Sequence, residues 1–337
     1  MSKTTVSAPA NIAFIKYWGA RDLDRAVPMN PSISMTLEHC VTQCTVEVLN
    51  HEGEDEVWLA EPDGGFRSPE ADFARRMREH LGRIRRWAGR EEAVRVATRN
   101  SFPTAGGLAS SASGFAALTL AAAGAFGKKN APAKELSLLA RRSGSGSASR
   151  SVFGGYVEWP APGAEEGEDQ SYAVQIAEPE HWELRDVIAV VEIGPKTVPS
   201  IEGHRRASTS PYYSKRLELL PSRLERVRRA IQDRDLATLG PLLEEEAVDL
   251  HLIAMSSHPP VFYWSPGTVA VLRAVRELRQ EGLAAWATLD AGANVHVICD
   301  ADSAEDVADR LEDVPAVGFV INDGVGPGPE YDSTHLF

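Results

Sequence analysis

The sequence is poor in cysteine and in positive charge, and each shortage excludes a class of protein. Among its 337 residues the cysteines are Cys40, Cys44 and Cys299, an odd number without the paired spacing of zinc ligands. This argues against a disulfide framework and against a zinc site. Acidic residues outnumber basic ones by 48 to 35, and the net charge of −13 provides no overall basic field to attract nucleic acid or an anionic membrane. An anionic substrate would need a local basic pocket.

The chain also lacks an apolar run of about 18 residues, which a membrane-spanning helix would need. Its first residues, MSKTTVSAPANIAFIKYWG, contain no apolar core followed by a small-residue cleavage site. We therefore expect a soluble, cytoplasmic protein that is not exported and has neither nucleic acid nor a membrane as a partner.

Hydrophobic periodicity indicates both strands and helices along the chain. Alternation over residues 41–48 predicts a half-buried strand, and apolar residues at every third or fourth position over 73–87 predict an amphipathic helix. Further helices are predicted at 132–142, 214–232, 235–256 and 267–281, and further strands at 94–98, 152–159, 187–193, 284–289, 294–299 and 317–321. This mixture predicts an α+β or α/β fold of two domains, with a boundary near 180–186.

The stretch FPTAGGLASSASG, residues 102–114, connects a predicted strand to an alanine- and leucine-rich helix. A small-residue loop at this position brings several backbone N–H groups to a helix N-terminus, where unpaired donors and the helix dipole favour an anion. The stretch is neither a P-loop of the form G-x-x-x-x-G-K-[ST] nor G-x-G-x-x-G. From composition alone, phosphate binding and a merely tight turn are equally good interpretations.

The motif Pro103-x-x-x-Gly107-Leu-Ala-Ser-Ser-Ala resembles the phosphate-binding motif of the GHMP kinase superfamily. Other stretches resemble, in the family's order over nearly the whole chain, its mevalonate (di)phosphate decarboxylase branch. They are SAPANIAFIKYWG near the start, NPSISMTL at 30–37, RRSGSGSASRSVFGGYVEW at 141–159, TSPYY at 209–213 and TLDAGANVHVI at 288–298.

This resemblance implies the fold and the partners of the family. The fold is a two-domain GHMP kinase fold of the α+β class, with a domain similar to the second domain of ribosomal protein S5 over residues 1–185. A ferredoxin-like domain follows over residues 186–337, and the active site lies in the cleft between the two. The family uses ATP and Mg²⁺, acts on a small molecule of the mevalonate pathway of isoprenoid biosynthesis, and is usually a homodimer.

The resemblance assigns the catalytic roles to Asp290, Lys16 and Arg150. Asp290 ends a strand-like run and is the expected base for the 3-hydroxyl group, although on composition alone a turn-initiating aspartate is the better interpretation. Lys16 stands among apolar and aromatic residues, so its ammonium needs a partner, and Asp290 is the expected one; the alternative is a lysine at the surface. Arg150 presents a planar fork that can hold the substrate carboxylate through two parallel hydrogen bonds.

The remaining site residues are also implied by the resemblance. Substrate binding is expected at Asn11, Tyr17, Ser145, Gly146 and Ser147. The ATP loop is expected at Pro103, Gly106, Gly107, Leu108, Ala109, Ser110 and Ser111. The resemblance does not identify the magnesium ligands. His204 and His296 are isolated in the sequence, which favours structural roles for both.

One departure from the family pattern concerns the substrate. Diphosphomevalonate decarboxylases typically read K-Y-W-G-K at this point, and the second lysine helps to bind the terminal phosphate. Here the segment from Lys16 to Ala20 reads K-Y-W-G-A, so alanine replaces that lysine. The missing cation predicts mevalonate 5-phosphate as substrate and isopentenyl phosphate as product, although Arg21 could compensate. The alternatives are a diphosphomevalonate decarboxylase, a mevalonate 3-kinase, and a catalytically silent relative that binds a nucleotide or a partner for regulation.

Overall fold

The computed structural model describes residues 2–103, 110–163, 166–194 and 198–337. Its strands are β1 (Lys3–Ile15), β2 (Ala20–Asp22), β3 (Val27–Pro28), β4 (Ser32–Val48), β5 (Glu56–Ala60), β6 (Phe66–Arg67), β7 (Val94–Asn100), β8 (Tyr156–Trp159), β9 (Val174–Ala177), β10 (Leu184–Val190), β11 (Ala285–Thr288), β12 (Val295–Asp300), β13 (Phe319–Gly324) and β14 (Glu330–Asp332). Its helices are α1 (Ala71–Ala88), α2 (Ser110–Ala125), α3 (Ala133–Arg141), α4 (Ser200–Arg206), α5 (Tyr213–Asp233), α6 (Leu236–Ser256), α7 (Pro266–Gln280) and α8 (Ala304–Glu312).

The first sheet is built around the long antiparallel pair of β1 and β4. The strand order is β14-β1-β4-β7-β5-β6, and β8 pairs with the other end of β4 and with β9. The β1–β4 register shifts between Pro9 and Asn11, so the chain bulges there. A bulge bends its strand and re-aims the side chain beside it. The side chain beside this bulge is Asn11.

Helix α2 packs closely on this sheet because its residues are small. Its buried face includes Ala117 and Ala121, both fully buried together with Val6 and Val46 of the sheet. At Gly124 a Cβ atom would lie 2.7 Å from the Cγ2 atom of Thr4, so only glycine permits this approach. The small side chains of α2 therefore let this helix, which follows the small-residue loop, pack at short distance on the first sheet.

The second sheet has the antiparallel order β11-β12-β10-β13. In chain order, β10 is followed by helices, then β11 and β12, then α8 and β13, which is the β-α-β-β-α-β arrangement of ferredoxin-like domains. Apolar residues of α7 and α8 cover one face, and those of α5 and α6 pack on the other. The predicted ferredoxin-like second half is therefore confirmed.

The two sheets are joined by a buried carboxylate. Asp323 on β13 accepts hydrogen bonds from the backbone N–H groups of Glu38, His39 and Cys40, at 2.8–2.9 Å. Because β14 returns to pair with β1, the final strand lies in the first sheet. We propose a domain boundary at residue 185/186, which leaves the first two residues of β10 on the side of the first half.

Most elements predicted from the sequence are confirmed within a few residues, with two exceptions in the first half. The strand predicted over 41–48 is only the second half of β4, which begins at Ser32, because residues 32–37 are all buried and show no alternation. The predicted strand over 152–159 begins only at Tyr156, since residues Gly146–Val152 form a 3-10 helix. None of the helices in the described part of the chain combines the length and the apolar character that crossing a membrane requires.

Candidate active site

Lys16 follows β1 directly and is buried with only 1% of its surface exposed. Its Nζ atom donates to the carbonyl oxygen of Ala13 at 2.7 Å and to Oδ1 of Asp290 at 2.8 Å. Burial lowers the pKa of Lys16, and the carboxylate of Asp290 opposes that change. The expected pairing of Lys16 with Asp290 is present, and Lys16 is not a surface lysine.

Asp290 lies in the turn after β11, where the N–H of Gly292 donates to its carbonyl oxygen at 2.7 Å. Burial by itself would raise the pKa of Asp290, but the charge and hydrogen bond of Lys16 outweigh it, so the pKa is lowered. A quarter of the side chain remains exposed. Asp290 is therefore an ionised carboxylate with access to a ligand.

Arg150 belongs to the 3-10 helix and is 2% exposed. Its guanidinium donates to Oδ1 of Asn11 at 3.0 and 3.2 Å and to Oγ of Ser32 at 2.6 Å. Within the described residues, no carboxylate lies within 4.0 Å of this guanidinium. Burial lowers the pKa of Arg150 to about 10, and Asp290 opposes the change, so the group stays charged at neutral pH.

Asn11 lies beside the bulge of β1 and connects several expected site residues. Its Oδ1 atom accepts from Arg150, while Nδ2 donates to Oγ of Ser151 at 2.8 Å and to the carbonyl oxygen of Ser147 at 3.4 Å. Since both ends of the amide are engaged, Asn11 fixes the plane of the arginine fork relative to the 3-10 helix.

Tyr17 and the start of the 3-10 helix meet at an aromatic wall. The ring of Tyr17 packs edge-on against Trp159 with centroids 4.8 Å apart. At Gly146 a Cβ atom would lie 2.6 Å from Cη2 of Trp159 and 2.9 Å from Cε1 of Tyr17, so a side chain is excluded. Ser145 and Ser147 flank this glycine, with their Oγ atoms 3.5 Å apart. Burial raises the pKa of Tyr17, so its phenol remains a hydrogen-bond donor.

The small-residue loop is described only at its two ends. Pro103 is half-buried, and α2 begins at Ser110, with Ser111 exposed in its first turn and no acidic residue there. The expected ATP-loop residues Gly106, Gly107, Leu108 and Ala109 lie outside the described residues.

Ala20 begins β2 and is half-exposed. The neighbouring Arg21 donates to the carbonyl oxygens of Pro162 at 2.9 Å and Gly163 at 3.0 Å. Pro162 and Gly163 belong to PAPGAEEGEDQ, residues 160–170, which the sequence predicts to be an exposed acidic loop, so Arg21 is already engaged by this acidic loop.

Sequence reasoning missed the residues that surround the Lys16–Tyr17 segment. His204 on α4 accepts a hydrogen bond from the N–H of Gly19 at 3.0 Å, and its ring lies 4.2 Å from that of Tyr17. Glu246 and Arg216 bind the backbone of Lys16. No local pattern marks these partners, because each lies about 200 residues along the chain from the segment it contacts. The other histidine singled out in the sequence, His296, is buried, and its Nδ1 atom forms a hydrogen bond of 2.6 Å with Oδ2 of Asp186.

Two family models match the chain in succession. The diphosphomevalonate decarboxylase-like N-terminal domain matches residues 8–173, and the mevalonate 5-diphosphate decarboxylase C-terminal domain matches residues 186–319. The diphosphomevalonate decarboxylase of Candida albicans is 34% identical over 100% of this chain and 99% of that protein. The chain belongs to the diphosphomevalonate decarboxylase family.

Solved structures agree with this assignment. Mevalonate diphosphate decarboxylase from Staphylococcus aureus is similar with a TM-score of 0.90 and 32% identity, covering 98% of each chain. MDDEF in complex with MVAPP, AMPPCP and magnesium is similar with a TM-score of 0.88 and 35% identity, covering 99% of each chain. The resemblance in the sequence, the GHMP kinase fold and the classification as a decarboxylase are confirmed.

Proposed function

We propose that this family member catalyses the ATP-dependent decarboxylation of mevalonate 5-diphosphate, giving isopentenyl diphosphate, ADP, phosphate and CO₂. The observation that carries the proposal is the buried Lys16–Asp290 ion pair, close enough to Arg150 that Asp290 opposes the pKa shift of the arginine. One carboxylate and two cations from distant parts of the chain thus converge, as decarboxylation of a 3-hydroxy acid requires.

Asp290 is suited to receive the proton of the substrate 3-hydroxyl group. Its lowered pKa keeps it ionised at neutral pH, and its partial exposure leaves room for a hydroxyl group within hydrogen-bond reach. Lys16 holds one oxygen of the carboxylate, which fixes the orientation of the other. The ion pair therefore orients the base as well as keeping it charged.

Arg150 is suited to hold the substrate carboxylate. Its described hydrogen bonds go to the neutral side chains of Asn11 and Ser32, so its positive charge is not neutralised by direct contact with a protein carboxylate. A guanidinium held by fixed neutral acceptors is a prepared site for an anion. When C–C cleavage releases CO₂, the carboxylate loses its charge, and this contact no longer retains the product.

ATP and Mg²⁺ fit the residues at the start of α2. When bound, they supply the phosphoryl group that converts the tertiary hydroxyl into a leaving group, with magnesium offsetting the phosphate charge. The N-terminus of a 16-residue helix without an acidic first turn attracts phosphate oxygens, and Ser110 and Ser111 provide hydroxyl groups for phosphate or for the metal. The MDDEF complex with AMPPCP and magnesium supports the same cosubstrate and metal here.

The number of phosphates on the substrate is the finer part of this proposal. The relatives carry the name diphosphomevalonate decarboxylase, which favours the diphosphate over the monophosphate that the sequence led us to expect. One observation favours mevalonate 5-phosphate as the second candidate: Ala20 stands where the family typically has lysine, and Arg21 is bonded to the acidic loop. A mevalonate 3-kinase and a silent relative rank lower, because Asp290, Lys16 and Arg150 are all present. Cytoplasmic location and a homodimer stay predictions.

Steady-state kinetics with both substrates test the proposal. We expect a higher kcat/KM for mevalonate 5-diphosphate than for mevalonate 5-phosphate, with CO₂ and ADP released in equal amounts. A preference for the monophosphate would favour the second candidate. Release of ADP without CO₂ would identify a kinase, and no turnover of either substrate would leave a silent relative.

A further inference from the structure

The main chain of Lys16 leaves the first sheet in the protein interior. Strand β1 ends at Ile15, the last residue of β1 paired with β4, so the ladder no longer provides partners for the next peptide groups. Lys16 is almost fully buried, and a buried backbone N–H or C=O group without a partner costs free energy. Other parts of the chain must therefore satisfy both groups.

Two helices of the second half provide these partners. Oε1 of Glu246 on α6 accepts the N–H of Lys16 at 3.0 Å. Arg216 on α5 donates to the carbonyl oxygen of Lys16 at 2.9 Å and also to the same Glu246 oxygen. Nδ2 of Asn30 donates to that carbonyl oxygen at 3.0 Å. The carboxylate and the guanidinium thus close a ring of hydrogen bonds around one residue.

A simple ion pair between the two helices does not account for this arrangement. Glu246 is fully buried and Arg216 is 2% exposed, and removing such a pair from water costs about as much as its attraction returns. The hairpin of α5 and α6 has a second arginine, Arg223, which donates to Oε2 of Glu246 and to Asp249 at 2.7 Å, and it has an apolar core. What the Glu246–Arg216 pair adds is its hold on Lys16.

Besides binding the backbone of Lys16, Glu246 affects the protonation of the Lys16 side chain through its charge. The charged groups that face Lys16 are Asp290 after β11, Glu246 on α6, Arg216 on α5, Arg150 in the 3-10 helix and Asp186 on β10. Burial lowers the pKa of Lys16, Asp290 and Glu246 raise it, and Arg150 lowers it. Loss of the Glu246 charge would therefore let Lys16 lose its proton at a lower pH.

We propose that Glu246 and Arg216 are positioning residues that fix the ammonium of Lys16 beside Asp290 and keep it charged, an inference that rests on the function proposed above. The side chain of Lys16 is anchored at both ends: its ammonium bonds to Asp290, and its peptide groups bond to α5 and α6. The helices of the second half thereby set the geometry of a lysine supplied by the first.

The variant Glu246→Gln separates charge from hydrogen bonding. The amide oxygen still accepts the N–H of Lys16, but the negative charge is gone. We expect the alkaline limb of the kcat–pH profile to shift to lower pH by about one pH unit, because Lys16 loses its proton more easily, while KM for ATP stays unchanged. The control is Asp249→Asn, which removes a carboxylate from the same helix and from the same Arg223 but not from Lys16, and it should keep the wild-type profile. An unmoved limb in folded Glu246→Gln would overturn the role of the charge.

Two further measurements keep the proposal testable if Glu246→Gln does not fold. Arg216→Lys retains the charge but replaces the planar guanidinium, whose Nη2 atom holds Lys16 and Glu246 while its Nη1 atom donates to Oδ1 of Asn30. Because a single ammonium nitrogen cannot cover all three acceptors in this geometry, kcat should fall about tenfold while the alkaline limb stays in place. Amide hydrogen exchange measures the protection of the Lys16 N–H group independently of catalysis. Glu246→Ala should accelerate exchange of this N–H group but not of those in the middle of β1. Wild-type kcat in Arg216→Lys, together with unchanged exchange, would overturn the positioning role. A wild-type enzyme that never releases CO₂ would instead refute the proposed function.

Discussion

Asp290→Asn is the substitution that tests the proposed chemistry most directly. The amide keeps the size of the carboxylate and an oxygen that can accept the hydrogen bond of Lys16, but it cannot take up a proton at neutral pH. Of the described partners, the variant also leaves the buried Lys16 ammonium with the Ala13 carbonyl oxygen and a neutral amide. Both the reaction rate and the stability of the fold should therefore respond.

The two effects have different magnitudes. Loss of a general base costs about 10²–10⁴ in rate, which corresponds to about 3–5 kcal/mol of transition-state free energy. Removing one partner of a fully buried ion pair costs about 3–5 kcal/mol of stability, and we reduce this to about 2–3 kcal/mol because a quarter of the Asp290 side chain is exposed. For a chain of this size, that loss lowers Tm by about 4 °C.

The assay combines trapped CO₂, ADP release and thermal unfolding on the same preparation. Asp169→Asn is the matched control, because this carboxylate is 74% exposed and, among the residues that the structure describes, pairs with Arg142 alone. We expect the control to keep wild-type turnover and Tm, while Asp290→Asn stays folded at the assay temperature and loses turnover. Decarboxylation by Asp290→Asn at the wild-type rate would show that the base lies elsewhere.

Three further substitutions probe the rest of the site. Arg150→Lys should lower kcat/KM for the mevalonate substrate about 100-fold in steady-state assays, because an ammonium cannot form the parallel bonds of the fork; equal kinetics would contradict carboxylate binding there. Gly146→Ala should lower the free energy of unfolding by about 1–3 kcal/mol in denaturant titrations, since the new methyl group overlaps Trp159. Gly114→Ala, which meets nothing within 4 Å, is its control and should be neutral or slightly stabilising. Ala20→Lys should raise the ratio of kcat/KM for diphosphate over monophosphate, and an unchanged ratio would remove Ala20 as a specificity determinant.

The elements with a clear hydrophobic period could be predicted from the sequence, and the others could not. Apolar residues at helical spacing predicted α1, whose buried side chains include Met77, Leu81 and Ile84. Strand β1 escaped detection because it is covered on both faces and shows no alternation: from Ala8 to Ile15 every residue is buried. Periodicity records one-sided burial, so a strand buried on both sides carries no such signal.

The residues of the candidate site also fall into two groups, those that could be predicted from the sequence and those that could not. The resemblance of TLDAGANVHVI and RRSGSGSASRSVFGGYVEW to stretches of the family led to Asp290 and Arg150, because each residue lies in a local segment that can be recognised. Glu246 and Arg216 lie on ordinary amphipathic helices, where a glutamate or an arginine is expected to face solvent. Only the packing of α5 and α6 against the end of β1 reveals that these charges are buried and where they point.

The ring of hydrogen bonds around Lys16 also limits how enzymes of this kind can be recombined. A chimaera that joins residues 1–185 of this chain to the second half of a relative keeps its lysine but exchanges the carboxylate and guanidinium that grip it. Unless the relative has a carboxylate on α6 and a guanidinium on α5 at the same positions, the peptide N–H and C=O groups of that lysine lose hydrogen-bond partners in the protein interior. A first half moved into another chain therefore needs either its own α5–α6 hairpin or a second half with a carboxylate and a guanidinium at the positions of Glu246 and Arg216.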